Sequence, residues 1–176
     1  KPDLDFKILY GIEFYAFHKP QMIYNAPKLP QDLRKARYCV LDFETTGLSQ
    51  TYDRPTEFGA VIVEHGMVRN TFDTFINAGI PIPEAIQKKT HITNEMIASA
   101  PKEKEALEKI MAFIGDENTI LVAHNATFDI GFLNMMRERQ GLPPIQNPYI
   151  DTLAISHWLR PDARRHNLGA LSKDLQ

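Results

Sequence analysis

Cysteine is almost absent from this chain: of 176 residues only Cys39 carries a thiol, so no disulfide can close within it. A fold of this kind rests on its packed core, as is usual in a reducing compartment. Long apolar runs are missing too. Nothing approaches the roughly 20 consecutive apolar residues of a membrane-crossing helix, and the opening residues lack the pattern of a secretory leader, so a cytoplasmic protein without a membrane partner is expected. Positive charge is not in excess: 20 Lys and Arg against 22 Asp and Glu leave a net charge of −2. That balance excludes a protein that holds nucleic acid by bulk electrostatics alone. Glycine is sparse at nine residues, and there is no internal repeat or low-complexity tract. What is present is 43% hydrophobic residues, enough for one well-formed core.

Periodicity places that core in an α/β chain. Strands are expected near 37–44, 57–65 and 68–77, with His65-Gly66-Met67 as the turn of an antiparallel meander. A helix over 101–114 follows from Leu107, Ile110, Met111 and Ile114 at helical spacing, ended by Gly115. Further along, a strand at 119–123, a helix at 127–140, a short strand ending at Ile150 and helices at 152–160 and 167–175 complete the pattern. Cys39 falls inside the first strand and reads as a core residue.

Within that first strand, Val40-Leu41-Asp42-Phe43-Glu44-Thr45-Thr46-Gly47 puts Asp42 and Glu44 on one face and Phe43 on the other. Two neighbouring carboxylates at a strand end repel each other and lose hydration, costs that a divalent cation offsets. A pair of solvated edge carboxylates would read the same way, so the pair needs company. It comes in His124-Asn125-Ala126-Thr127-Phe128-Asp129, where a buried strand runs into a helix. Asn125 or Thr127 can cap that helix, and its N-terminal dipole favours an ionised Asp129 in the first turn.

Together, Asp42 to Gly47 and His124 to Asp129 resemble the first two motifs of the DEDD superfamily of 3′-to-5′ exonucleases, in the branch of the polymerase III epsilon subunit. Lys89-Thr90-His91-Ile92-Thr93, Ile150-Asp151-Thr152-Leu153 and Arg165 to Leu171 resemble three further family segments in the same order. The resemblance implies a ribonuclease-H-like five-stranded mixed sheet with flanking helices. It also implies hydrolysis of a terminal phosphodiester with two Mg²⁺ or Mn²⁺ ions held by Asp42, Glu44 and Asp129, with Asp42 between them. Thr45, Thr46, Leu48, His91 and Phe128 would lie against the 3′-terminal nucleotide on the same resemblance, although His91 stands where many relatives have glycine. Bulk positive charge is then not needed, because cations on the carboxylates reverse the local sign. The paired bases Lys88-Lys89, Arg137-Arg139 and Arg160 with Arg164-Arg165 read as solvated helix faces.

Phe6 to Glu13 and Ile23-Tyr24-Asn25 resemble the lead-in to the exonuclease of PolC-type polymerase III alpha chains. Residues 1–36 are therefore expected to be a fragment of an adjoining polymerase-and-histidinol-phosphatase (PHP) domain plus linker, and 37–176 an exonuclease domain truncated at its C-terminus. The partners implied are a single-stranded 3′ end of DNA, the remainder of the alpha chain and the replisome, with proofreading of replication as the role. The family's third motif, a His-x4-Asp or Tyr-x3-Asp carrying the general base, is expected beyond Gln176. His157 and Asp162 have the His-x4-Asp spacing but precede the segment it should follow, and read as a helix residue and a turn. A free-standing exonuclease or exoribonuclease, and a non-catalytic docking module that retains the fold, are the alternatives.

Overall fold

The computed structural model describes residues 21–26 and 32–174. One mixed sheet of six strands organises them: β1 (Ile23–Tyr24), β2 (Arg37–Thr45), β3 (Pro55–Glu64), β4 (Met67–Phe75), β5 (Ile120–Ala123) and β6 (Tyr149–Asp151), in the spatial order β1-β6-β5-β2-β3-β4. The helices are α1 (Glu84–Thr90), α2 (Asn94–Ala98), α3 (Glu103–Ile114), α4 (Ala126–Arg139), α5 (Thr152–Leu159) and α6 (Leu168–Asp174), with a 3-10 turn at Leu33–Lys35.

The expected meander forms, β2 to β3 to β4, all antiparallel, while β5 and β6 run parallel to β2. The fold class is the ribonuclease-H-like mixed α/β sheet implied by the motifs. It has a sixth strand because Ile23–Tyr24 pairs antiparallel with β6, and Tyr24 stacks on Tyr149 with ring centroids 4.4 Å apart. The remaining expectations for the first 20 residues fall outside the described ones. Strand β3 starts at Pro55, opposite the bulge at Glu44/Thr45, where a residue without an N–H costs no ladder bond.

Alternation along β2 divides the sheet. Cys39, Leu41 and Phe43 are buried, and with Phe58, Ala60 and Ile62 of β3 they form the floor of the main core, which Ile110 and Ile114 of α3 and Ile130, Leu133 and Met136 of α4 cover. Cys39 is fully buried, and loss of hydration pushes its thiol up to about 12. On the other face, Val40 and Asp42 stay exposed and Glu44 is half-buried. A second, small cluster of Ile82, Ile92 and Ile97 holds α1 and α2 beside Phe75 at the end of β4. Both helices are absent from the expected pattern.

Candidate active site

The parallel register of Val40 with Val122 ends β5 beside Leu41, short of the end of β2, so the chain leaving β5 at His124 passes Asp42 before α4 begins. There, Asn125 takes a left-handed backbone (φ 66°) that turns the chain from strand to helix. Its side chain makes no capping bond, contrary to the expectation that Asn125 or Thr127 caps α4. The nearby carboxylate at work is Asp151: its Oδ1 accepts from the N–H of Asn125 (3.0 Å) and Leu153 (2.9 Å), which ties the starts of α4 and α5 together.

Asp129 is carried by the first turn of α4 into the body of the protein, where it is 2% exposed. Its Oδ1 accepts the N–H of Phe43 at 3.0 Å, so the helix carboxylate docks directly on the strand, between Asp42 and Glu44 in sequence. The helix dipole does not leave this group readily ionised. Burial lifts Asp129 to about 7, the Phe43 hydrogen bond opposes the rise, and the charges of Asp42 and Asp151 add to it. Desolvation outweighs the dipole because a helix end is worth about 1 kcal/mol whereas losing water from a carboxylate costs several times that.

Asp42 and Glu44 are also raised. For Asp42 the main cause is partial loss of hydration, although the residue is exposed by area, with His124 pulling the other way. For Glu44 it is desolvation, then Asp42 and Glu57, with Lys89 lowering it. Asp42 is thus the member common to both neighbours. Glu57 faces Glu44 directly across the β2–β3 ladder, and Asp42 lies opposite Gly59, whose Cβ position is open space. A cavity of about 320 Å³ runs from Asp42 and His124 over Val40, Gly59 and Val61 to Leu168.

The donors at this site are hard carboxylate oxygens, and each of the three carboxyls is held above its ordinary pKa, the state that a small divalent cation relieves. They are the donor type that a hard divalent cation takes, but among the described residues no group of three or more His, Cys, Asp or Glu side chains is placed so that it could hold a metal ion.

The five residues expected at the nucleotide divide into three kinds. Leu48 is 79% exposed and His91 is exposed, with His91 in the left-handed conformation (φ 62°) that ends α1. That backbone explains why glycine suits this position. Phe128 is half-buried with its ring 4.9 Å from Phe132. Thr45 and Thr46 are buried, and their hydroxyls donate to the Gly47 carbonyl (2.5 Å) and to Asp53 Oδ1 (3.2 Å). Two neighbours that the sequence did not place at the site are Glu57 and Lys89. Lys89 reads as part of a solvated face, yet its charge bears on Glu44; the register that brings Glu57 to Glu44 is a matter of tertiary pairing. His157 is exposed and stacks on His166 with centroids 3.8 Å apart.

A family model described as Exonuclease matches residues 39–176. PolC-type DNA polymerase III of Lacticaseibacillus paracasei is 39% identical over 167 residues, 95% of this chain and 11% of that protein. The same polymerase of Latilactobacillus sakei is 42% identical over 168 residues, again 95% of this chain and 11% of the relative. The chain therefore spans about a tenth of the length of these relatives. Among solved structures, exonuclease I superposes with a TM-score of 0.70 at 18% identity, over 78% of this chain and 35% of that one, which shows a shared fold. Exonuclease X in complex with 5′ overhanging duplex DNA superposes at 0.61 with 27% identity, over 78% of this chain and 72% of that one.

Proposed function

Since the chain belongs to the exonuclease family, we propose that it removes nucleotides from the 3′ end of single-stranded DNA and serves as the proofreading domain of a PolC-type replicative polymerase in the cytoplasm. The observation that carries this reading is the bond from the Phe43 N–H to Asp129, which seats the helix carboxylate on the strand that carries Asp42 and Glu44. Asp42, Glu44 and Asp129 would hold two Mg²⁺ or Mn²⁺ ions, which would lower the pKa of the attacking water and offset charge on the attacking and leaving oxygens.

The rest belongs to the chain's own residues. Asp42, whose charge acts on both Glu44 and Asp129, would help to hold both cations. Leu48 and His91, both exposed, would lie against the terminal base and sugar, and Phe128 would support them from the α4 side. Lys89, beside Glu44, adds a positive charge where a phosphate arrives. A free-standing nuclease or a non-catalytic module has less support, because the similarity to PolC-type chains runs over 95% of the sequence.

The test is a nuclease assay on 3′-labelled and 5′-labelled oligonucleotides with Mg²⁺ or Mn²⁺, using the full-length protein. Asp42→Ala, Glu44→Ala and Asp129→Ala are each expected to reduce release of 3′ mononucleotides by at least ~100-fold, while circular dichroism shows an intact fold. Release that begins at the 5′ end, or that persists in all three variants, would refute the reading.

A further inference from the structure

The loop between β2 and β3 is bonded to itself and to α4 more densely than a connecting turn requires. Asp53 is its hub: its carboxylate accepts the Thr46 hydroxyl at 3.2 Å and the Ser49 N–H at 2.8 Å, and its own N–H donates to the Ser49 carbonyl at 2.8 Å. A Cβ on Gly47 would overlap that carboxylate, so the glycine admits the hub. Arg54 Nη1 donates to the carbonyls of Thr51, Tyr52 and Asp53 at 3.2, 3.2 and 2.9 Å. A loop so constrained nonetheless holds Leu48 and Tyr52 out in solvent, at 79% and 80% exposure.

One side chain leaves the loop and crosses to the helix. Gln50 Nε2 donates to the carbonyl of Thr127 at 2.9 Å and of Phe128 at 3.4 Å, in the first turn of α4, immediately before Asp129. Its carboxamide occupies the space above Gly131, where a Cβ would overlap it. Gly131 has no positive φ to explain it, and glycine is the weakest helix former after proline. The close approach of Gln50 is the feature that asks for a residue without a side chain there.

We propose that Gln50 is a positioning residue: its carboxamide, seated on Gly131, latches the β2–β3 loop to α4 and so fixes where the terminal nucleotide of a single-stranded DNA end lies relative to Asp129. The inference rests on the nuclease reading for its ligand, and on the two hydrogen bonds and the glycine seat for its geometry. The strand–helix bond at Phe43 fixes Asp129 itself, so the latch acts on the substrate side of the site and leaves cation affinity untouched.

Gly131→Ala is the informative variant, because the atoms it displaces are the far end of a flexible side chain and the helix gains in propensity. Gln50→Ala removes the same contact from the other side. Both are expected to speed amide exchange across residues 47–53 by about 10-fold or more. They should also weaken binding of a 3′-hydroxyl deoxyoligonucleotide in Ca²⁺ by roughly 5- to 20-fold. Mn²⁺ affinity should stay constant and Gly131→Ala should melt no lower than the parent. The double variant should be no worse than either single one, since both break one contact. Gln50→Glu should lose affinity at pH 8, where a carboxylate faces two carbonyl oxygens, and regain it as acid restores a donor. Unchanged exchange in both single variants, additive losses in the double one, or faster exchange with unaltered affinity would each overturn the latch. Failure of the parent chain to bind the oligonucleotide would overturn the nuclease reading, while the exchange measurements still decide whether the latch exists.

Discussion

Asp129 is held by opposing forces, and their balance depends on pH. Its carboxyl ordinarily titrates near 3.8 but stands at about 7 in the folded chain, so the native state binds the proton more tightly than the unfolded one. Cation-free stability should therefore be greatest below pH 4 as far as this group is concerned, fall as pH rises to about 7, and level off above it. A divalent cation takes the ionised form, so its stabilising effect should grow through the same interval. Asp129→Asn keeps an acceptor for the Phe43 N–H without the charge. It is expected to raise the melting temperature of the cation-free chain at pH 8 by ~3–8 °C and to abolish the further rise that Mg²⁺ gives the parent, as read by calorimetry. The paired carboxylates and the helix-start aspartate are legible in the sequence because alternation and helix phase are local properties. The raised pKa of Asp129 is not, since its cause is burial, to which the charges of Asp42 and Asp151 add and which the Phe43 N–H opposes, all of them supplied by other elements. Nor are Gln50, Lys89 and Glu57, which reach the site through loop closure, helix docking and strand register.

Among elements, the long periodic ones are those the sequence discloses. Strands β2 to β4 and helices α3 and α4 carry enough apolar repeats to reveal their faces. Helix α1 spans seven residues, with Ile86 alone of its apolar side chains packed on a core cluster, and α2 buries only Ile97, so neither has a repeat to detect. Strand β1 has two residues and exists through its pairing with β6. Helices α3 and α4 are clamped by Arg139, whose Nε and Nη2 donate to the two oxygens of Glu103 at 2.7 Å each, with side chains 21% and 17% exposed. Lys109 and Glu105, one turn apart on the surface of α3, also meet at 2.7 Å but are about half exposed. Arg139→Ala should cost about 1.5–3 kcal/mol in urea denaturation, because Glu103 is left without its partner in a partly buried position. Lys109→Ala should cost no more than ~0.5 kcal/mol.

At the scale of the molecule, the net charge of −2 meets a surface whose basic groups are partly spent within it: Arg37 on Glu64, Arg139 on Glu103 and Arg160 on Asp174. Oligonucleotide affinity should then depend weakly on monovalent salt, with a log-log slope of about 1 to 2 where six to ten phosphate contacts would give a far steeper one. It should depend strongly on the divalent cation, and a titration in KCl at fixed Mg²⁺ separates the two. The two apolar clusters carry a kinetic consequence. Helices α1 and α2 hang from three buried isoleucines, whereas the sheet, α3 and α4 share a core of eighteen buried residues. Breaking away the small cluster requires only a fraction of the free energy of global unfolding, so this flank can open and close many times within the lifetime of the native sheet. Since it bears Lys89, whose charge acts on Glu44, and His91, the side of the site next to Glu44 should breathe while the strand carrying the carboxylates stays still, which would let a frayed strand enter and leave without disturbing Asp42.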